Sequence, residues 1–125
     1  MKVLVDTSVW VAHFQRANAD LVQLLQAGQV LIHPMVIAEL ACGTPPDRAR
    51  TLRNLSLLEQ AHEASWAEVM FLLDREKLFG RGCGLVDMAL LASALMTPGA
   101  VLWTFDKRLD ALAKTLGVMH RPSMH

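Results

Sequence analysis

Four carboxylates lie in stretches too apolar for them. Asp6 follows Val3, Leu4 and Val5; Glu39 lies within VIAELA, Asp87 within LVDMALL, and Asp106 follows VLWTF. An ionised carboxylate in such surroundings is costly unless it is paired. No Lys or Arg shares the apolar stretches around Asp6, Glu39 or Asp87. If the fold gathers the four, their repulsion calls for a cation, and an all-oxygen ligand set suits Mg²⁺ or Mn²⁺. Taken singly, each acid has a plainer role. Asp6 and Asp106 are placed to cap helices, Asp87 to favour the first turn of its helix through the dipole, and Glu39 to pair with an arginine from elsewhere. The sequence leaves both accounts standing.

Other chemistries find less support. The histidines His13, His33, His62, His120 and His125 show no HxxH or Cys/His spacing, so a zinc site is not expected and each histidine reads as structural or exposed. Cys42 and Cys83 form no CxxC pattern and read as two buried, reduced thiols. The loop Gly80-Arg81-Gly82-Cys83-Gly84 has no strand before it and no Lys-Ser or Lys-Thr after it, unlike a phosphate-binding loop. A haloacid-dehalogenase-type phosphatase would need a second Asp two residues after Asp6, where Ser8 stands.

The elements that must position the acids alternate. Val3–Val5 reads as a buried strand ending on Asp6, with a helix from Val9 to Gln15. Ala19–Ala27 is helical and stops at Gly28; Val30–Ile32 is a second strand; Pro34 opens a helix running to Gly43. A helix over Asp47–Leu58 carries Arg48, Arg50 and Arg53, which read as a solvated face. Leu57–His62 is a candidate edge strand, and Ser65 with Glu68 forms a capping box for a helix reaching Phe79. Leu85–Met96 is the most apolar helix, Ala100–Thr104 a strand, Lys107–Leu116 a helix, and Val118–His120 a candidate last edge strand. Alternation of this kind gives a mostly parallel sheet covered on both faces, with ligands at the carboxyl ends of its strands, where Asp6 and Asp106 stand.

The 125 residues, 53% of them hydrophobic, suit one domain spanning 1–125 with a proper core and are too apolar for a disordered chain. Twelve basic and twelve acidic residues cancel, so net charge names no partner, although a basic rim around an acidic pocket leaves nucleic acid open. The sequence has no signal-peptide pattern and no apolar run near the ~20 residues of a membrane span, so a cytoplasmic location is expected.

In the order VLVDTSVW, HPMVIAELACG, GCGLVDMALLAS and LWTFDKRLDALA, the chain resembles the PIN domain, and within it the VapC-like toxins of bacterial type II toxin–antitoxin pairs. The resemblance implies a three-layer α/β/α fold with a central, mostly parallel sheet of four to five strands. It also implies a Mg²⁺-dependent endoribonuclease whose metal site is Asp6, Glu39, Asp87 and Asp106, supported by the hydroxyls of Ser8 and Thr104. Water attack would leave a 5′-phosphate and a 3′-hydroxyl. Lys107, Arg108 and Arg81 become candidate contacts to the RNA backbone, and Arg75 and Lys77 would extend that path. A homodimer and a small helical antitoxin are the implied partners, with Trp10, Phe14 and the arginine-bearing helix as candidates for the antitoxin groove. The alternative is a silent PIN-like module that binds RNA or protein without cutting.

Overall fold

Successive side chains of a strand point to opposite faces. In strand β1 (Lys2–Val5), Val3, Leu4 and Val5 are all wholly inaccessible, so both faces of the sheet are covered there. The computed structural model describes residues 1–122; His125, one of the histidines considered above, lies outside them. After β1 come α1 (Thr7–Gln15), α2 (Ala19–Gln26), β2 (Val30–Ile32), α3 (Pro34–Ala41), α4 (Arg48–Ser56), β3 (Glu59–Gln60), α5 (Trp66–Arg75), α6 (Leu85–Met96), β4 (Ala100–Trp103) and α7 (Lys107–Thr115). The four strands form one parallel sheet in the order β3-β2-β1-β4. This is the expected α/β architecture, with β1 and β2 at its centre.

Several boundaries differ from expectation for identifiable reasons. Helix α1 begins at Thr7 rather than Val9, because Asp6 takes the N-cap position itself. Helix α5 stops at Arg75, short of Phe79, and Lys77 just beyond adopts a left-handed φ of 53° that no helix accommodates. The edge strand expected over Leu57–His62 shrinks to Glu59–Gln60, since α4 and its C-cap extend through Leu57. The last expected strand reduces to a single parallel bridge between Leu102 and Met119.

The core centres on α6, where Met88 to Ala94 are buried without interruption. Cys42 and Cys83 are free thiols as expected, but neither is buried: Cys42 is exposed and Cys83 half-buried. Trp10, at 3% exposure, belongs to the core, and Phe14 packs partly buried against it.

In a parallel sheet all strands end on one edge. Asp6, His33, Ala61 and Thr104 each follow a strand's last residue and therefore share that edge. Truncating a wholly buried side chain of β2 tests how much the site's platform depends on packing. Leu31→Ala should lower stability by ~2–5 kcal/mol in urea denaturation; a loss below 1 kcal/mol, the scale of a surface change, would contradict this account of the core.

Candidate active site

The register of β1 against β4 builds the site's centre. Val5 pairs with Trp103, and the Asp6 N–H donates to the Trp103 carbonyl at 2.9 Å, which sets Asp6 beside Thr104. Two hydroxyls then converge on Oδ2 of Asp6: Thr104 Oγ1 donates at 2.7 Å and Ser8 Oγ at 2.8 Å. Each hydroxyl is itself oriented by a backbone donor. Phe105 N–H donates to Ser8 at 3.0 Å, and Asp106 N–H donates to Thr104 at 3.0 Å. Asp6 stands at the N-cap of α1 but makes no side-chain capping bond; its buried carboxylate faces the hydroxyls instead.

The other three acids are held in comparable fashion. Thr7 Oγ1 donates to Glu39 Oε1 at 2.6 Å, tying α1 to α3. Gly84 N–H donates to Asp87 Oδ2 at 3.3 Å in the first turn of α6. Asp106 Oδ1 accepts from Arg108 and Leu109 N–H at 2.9 and 3.2 Å and so caps α7, one of the plainer roles foreseen for it. In each carboxylate one oxygen is tethered, and the second has no protein hydrogen bond among the described residues. Glu39 finds no arginine, and none of the four acids makes a salt bridge among the described residues.

Their charges nonetheless reach one another. Burial pushes the Asp87 carboxyl above its ordinary range; the Gly84 N–H opposes this, while Asp6, Asp106 and Glu39 add to the rise. Asp87 thus feels all three other acids. Among the described residues, however, no three Asp, Glu, His or Cys side chains are grouped closely enough to hold one metal ion between them. Mg²⁺ typically binds through one or two carboxylates and keeps several waters. The donor chemistry fits such an ion: free carboxylate oxygens, coupled charges and no cationic side chain paired to them.

Two contributors were not singled out by sequence reading. Thr7 carries no local mark of its role, and its bond to Glu39 exists only because α1 packs on α3. Cys83 lies at the rim: burial raises its thiol pKa, Asp87 and Asp106 raise it further, and Arg108 opposes them. The basic residues divide. Arg81, Lys107 and Arg108 are exposed, with Arg108 Nη1 donating to the Gly82 carbonyl at 3.3 Å. Gly82 has φ +81°, which L side chains rarely adopt, and a Cβ there would also push the Arg108 side chain aside. Arg75 is engaged elsewhere, bonded to Glu76 and stacked over Phe71. Arg48 donates to the Ala41 carbonyl at 2.7 Å and ties α4 to the end of α3.

Comparison with known proteins gives consistent results. The PIN domain family profile matches residues 3–115. Over 116 residues, covering 93% of this chain and 94% of the relative, the sequence is 46% identical to Ribonuclease VapC32 of Mycobacterium tuberculosis, in strains CDC 1551 / Oshkosh and ATCC 25618 / H37Rv alike. The fold is similar to that in a structure of VapBC-1 from nontypeable Haemophilus influenzae, with TM-score 0.70, 14% identity and 98% of each chain covered. It is also similar to PAE2754 from Pyrobaculum aerophilum, with TM-score 0.60, 20% identity and coverage of 93% and 86%.

The raised Asp87 pKa has a direct consequence for stability without metal. Between the ordinary carboxyl value near ~4 and the raised one, the folded chain holds more protons than the unfolded chain. Stability therefore falls as pH rises through that window and stays lower above it. Asp87→Asn keeps an oxygen for the Gly84 N–H and removes the charge. In chelator at pH 7 the variant should melt higher than wild type, and the gap should close below pH ~4. A variant that melts lower at both pH values would show that Asp87 carries no such electrostatic load.

Proposed function

The chain belongs to the PIN-domain family, among its VapC-like members, and on that premise we propose that it is a Mg²⁺-dependent endoribonuclease, the toxin of a bacterial type II toxin–antitoxin pair. One observation carries the reading: four unpaired acids at the carboxyl edge of the sheet, each with one oxygen tethered and the other free. Tethering fixes the carboxylate planes in advance, and the free oxygens present negative charge to a hard cation. The name of the M. tuberculosis relative, a ribonuclease, supports the substrate class.

Asp6 and Asp87 are proposed as the principal ligands, with Glu39 and Asp106 holding a second ion or the attacking water. When bound there, Mg²⁺ (or Mn²⁺ in its place) supplies charge that polarises the scissile phosphate and lowers the pKa of a nearby water. The free oxygens of Glu39 and Asp106 accept hydrogen bonds from the water that attacks phosphorus. The P–O3′ bond breaks as the new P–O bond forms, leaving a 5′-phosphate and a protonated 3′-oxygen. Ser8 and Thr104 keep Asp6 from rotating during the reaction. Lys107, Arg108 and Arg81 contact the RNA backbone as counter-charges, which makes binding salt-dependent.

The partners follow from the same reading. A homodimer and a small helical antitoxin are proposed. A groove of about 450 Å³ lined by Val11, Phe14, Leu40 and Pro45 abuts Glu39, which suits an apolar helix whose tail reaches the acids. Phe14 keeps its place in that groove, whereas the burial of Trp10 removes it. Its RNA is proposed to be cytoplasmic; among the described residues no helix is long and apolar enough to cross a membrane.

Purified protein should cleave cellular RNA with Mg²⁺ and stop in chelator. Loss of an outer partner of a metal ligand typically reduces activity ~10–100-fold. Ser8→Ala should fall in that range, and Asp6→Asn or Asp87→Asn well beyond it. Activity in chelator, or an Asp6→Asn enzyme near wild-type rate, would overturn the assignment and favour a silent binding module.

Mg²⁺ at 100 times its dissociation constant should add ~2.7 kcal/mol of stability at neutral pH, read as a higher melting temperature that Asp87→Asn blunts. Light scattering should find a dimer at micromolar concentration, and co-expression of the neighbouring small gene should relieve growth inhibition by the chain; a monomer, or inhibition that persists, would remove the corresponding partner.

A further inference from the structure

The carboxyl edge carries a second feature, on the side of the sheet away from β4. His33 follows β2 and is only 2% exposed. Its Nδ1 accepts from Met35 N–H at 3.0 Å and caps α3, so in the neutral ring the proton sits on Nε2. That Nε2–H is buried without a partner. Burial lowers the His33 pKa and Glu63 opposes the shift, in keeping with a ring that is neutral near pH 7. Trp10 Nε1 and His120 Nε2 are buried without a partner as well; a buried, unpaired donor calls for a reason.

His33 lines a pocket of about 510 Å³, a volume within the ~300–1,000 Å³ usual for small-molecule sites. Ala38, Glu63, Ser65, Trp66 and Ala89 also line it. Ala38 lies on α3 and Ala89 on α6, the helices that carry Glu39 and Asp87, so the pocket and two of the acids are built on the same two helices. Trp66 at its rim is 52% exposed, while Trp10 and Trp103 are each 3% exposed. The pocket therefore offers an aromatic face and a carboxylate acceptor over an apolar floor, with the unsatisfied His33 Nε2–H buried in the residue that forms part of its wall.

We propose that this pocket receives one unpaired base of the RNA next to the scissile phosphate, with Trp66 stacking on it and His33 Nε2–H donating to it. The proposal rests on the ribonuclease reading and deepens it, by giving the enzyme a means of selecting sequence. Single-stranded RNA is read in this manner, by stacking splayed bases on aromatic side chains and hydrogen-bonding their edges. The layout along the edge agrees. The order β3-β2-β1-β4 puts the pocket at β2 and β3, Asp6 in the middle at β1, and Asp106, Lys107 and Arg108 beyond β4. One strand laid along this edge would meet base recognition, cleavage and backbone contacts in turn.

Because Trp66 is the exposed tryptophan, its fluorescence reports on the pocket in chelator, where no cleavage occurs. Titration with the four nucleoside 5′-monophosphates should quench it unequally. Trp66→Leu should remove the response, and affinity read by titration calorimetry should fall by roughly 5- to 140-fold, the range that loss of one stacked base implies. His33→Asn keeps a capping oxygen for Met35 and loses Nε2–H; it should reduce discrimination among the four while Trp66 still quenches. In cleavage maps of total RNA, Trp66→Leu should flatten the base preference at one position beside the cut. Sharp, unchanged preference in active Trp66→Leu enzyme would overturn the base pocket and leave the nuclease reading intact. A Trp66 emission that shifts with protein concentration and ignores nucleotides would overturn it in favour of a contact between copies. Absence of cleavage by wild type with Mg²⁺ would instead strike the nuclease reading itself, whatever the quenching shows.

Discussion

Oδ2 of Asp6 accepts hydrogen bonds from two hydroxyls on different elements, Ser8 in α1 and Thr104 just past β4. The rest of the site depends on this junction. The same two hydroxyls accept from the N–H groups of Phe105 and Asp106, so the turn into α7 is fixed by the carboxylate it faces. Asp106 is thereby aimed as well as set to cap α7. A buried carboxylate normally demands a cationic partner; here hydroxyls whose own orientation is set from the backbone take that place, and negative charge is left over for a ligand.

The site keeps charge that the fold alone would discard. Asp87 is pushed toward protonation by burial and by three neighbouring acids, yet no lysine or arginine is drawn in to neutralise it. Arg108, which reaches Cys83 at the same rim, is instead held against the Gly82 carbonyl. Natural proteins commonly retain such local instability where function needs it. The parallel sheet makes this tolerable by confining the repulsion to one edge, while the apolar α6 carries the packing below it.

Much of this was legible in the sequence because it is local. Val-Leu-Val before Asp6 and the largely apolar stretch Leu85–Met96 declare their elements by composition, and both lie where expected. Ser8 and Thr104 were expected through resemblance only as hydroxyls supporting the site; that both donate to Asp6 follows from the strand register. What stayed illegible depends on contacts distant in sequence. Thr7 looks like any first-turn threonine until α3 brings Glu39 to it. His33 looks like a strand-end residue until its burial leaves Nε2 alone. Cys83 was read as buried because free cysteines usually are, but it lies in a glycine loop that presents it at the rim. The weak edge strands at Glu59–Gln60 and Val118–His120 have little apolar alternation to fix their extent.

The partners of the Asp6 junction are 98 residues apart in sequence, yet they meet side by side. β1, at the middle of the sheet, has β2 available early, but its other flank stays open until β4 is made. At ~5–20 residues per second of synthesis, that interval is roughly 5–20 s. Throughout it Asp6 lacks Thr104, and the turn that aims Asp106 does not exist. The geometry thus works as a timer: a growing chain on the ribosome, surrounded by RNA, cannot assemble the centre until Thr104 and Asp106 have been joined.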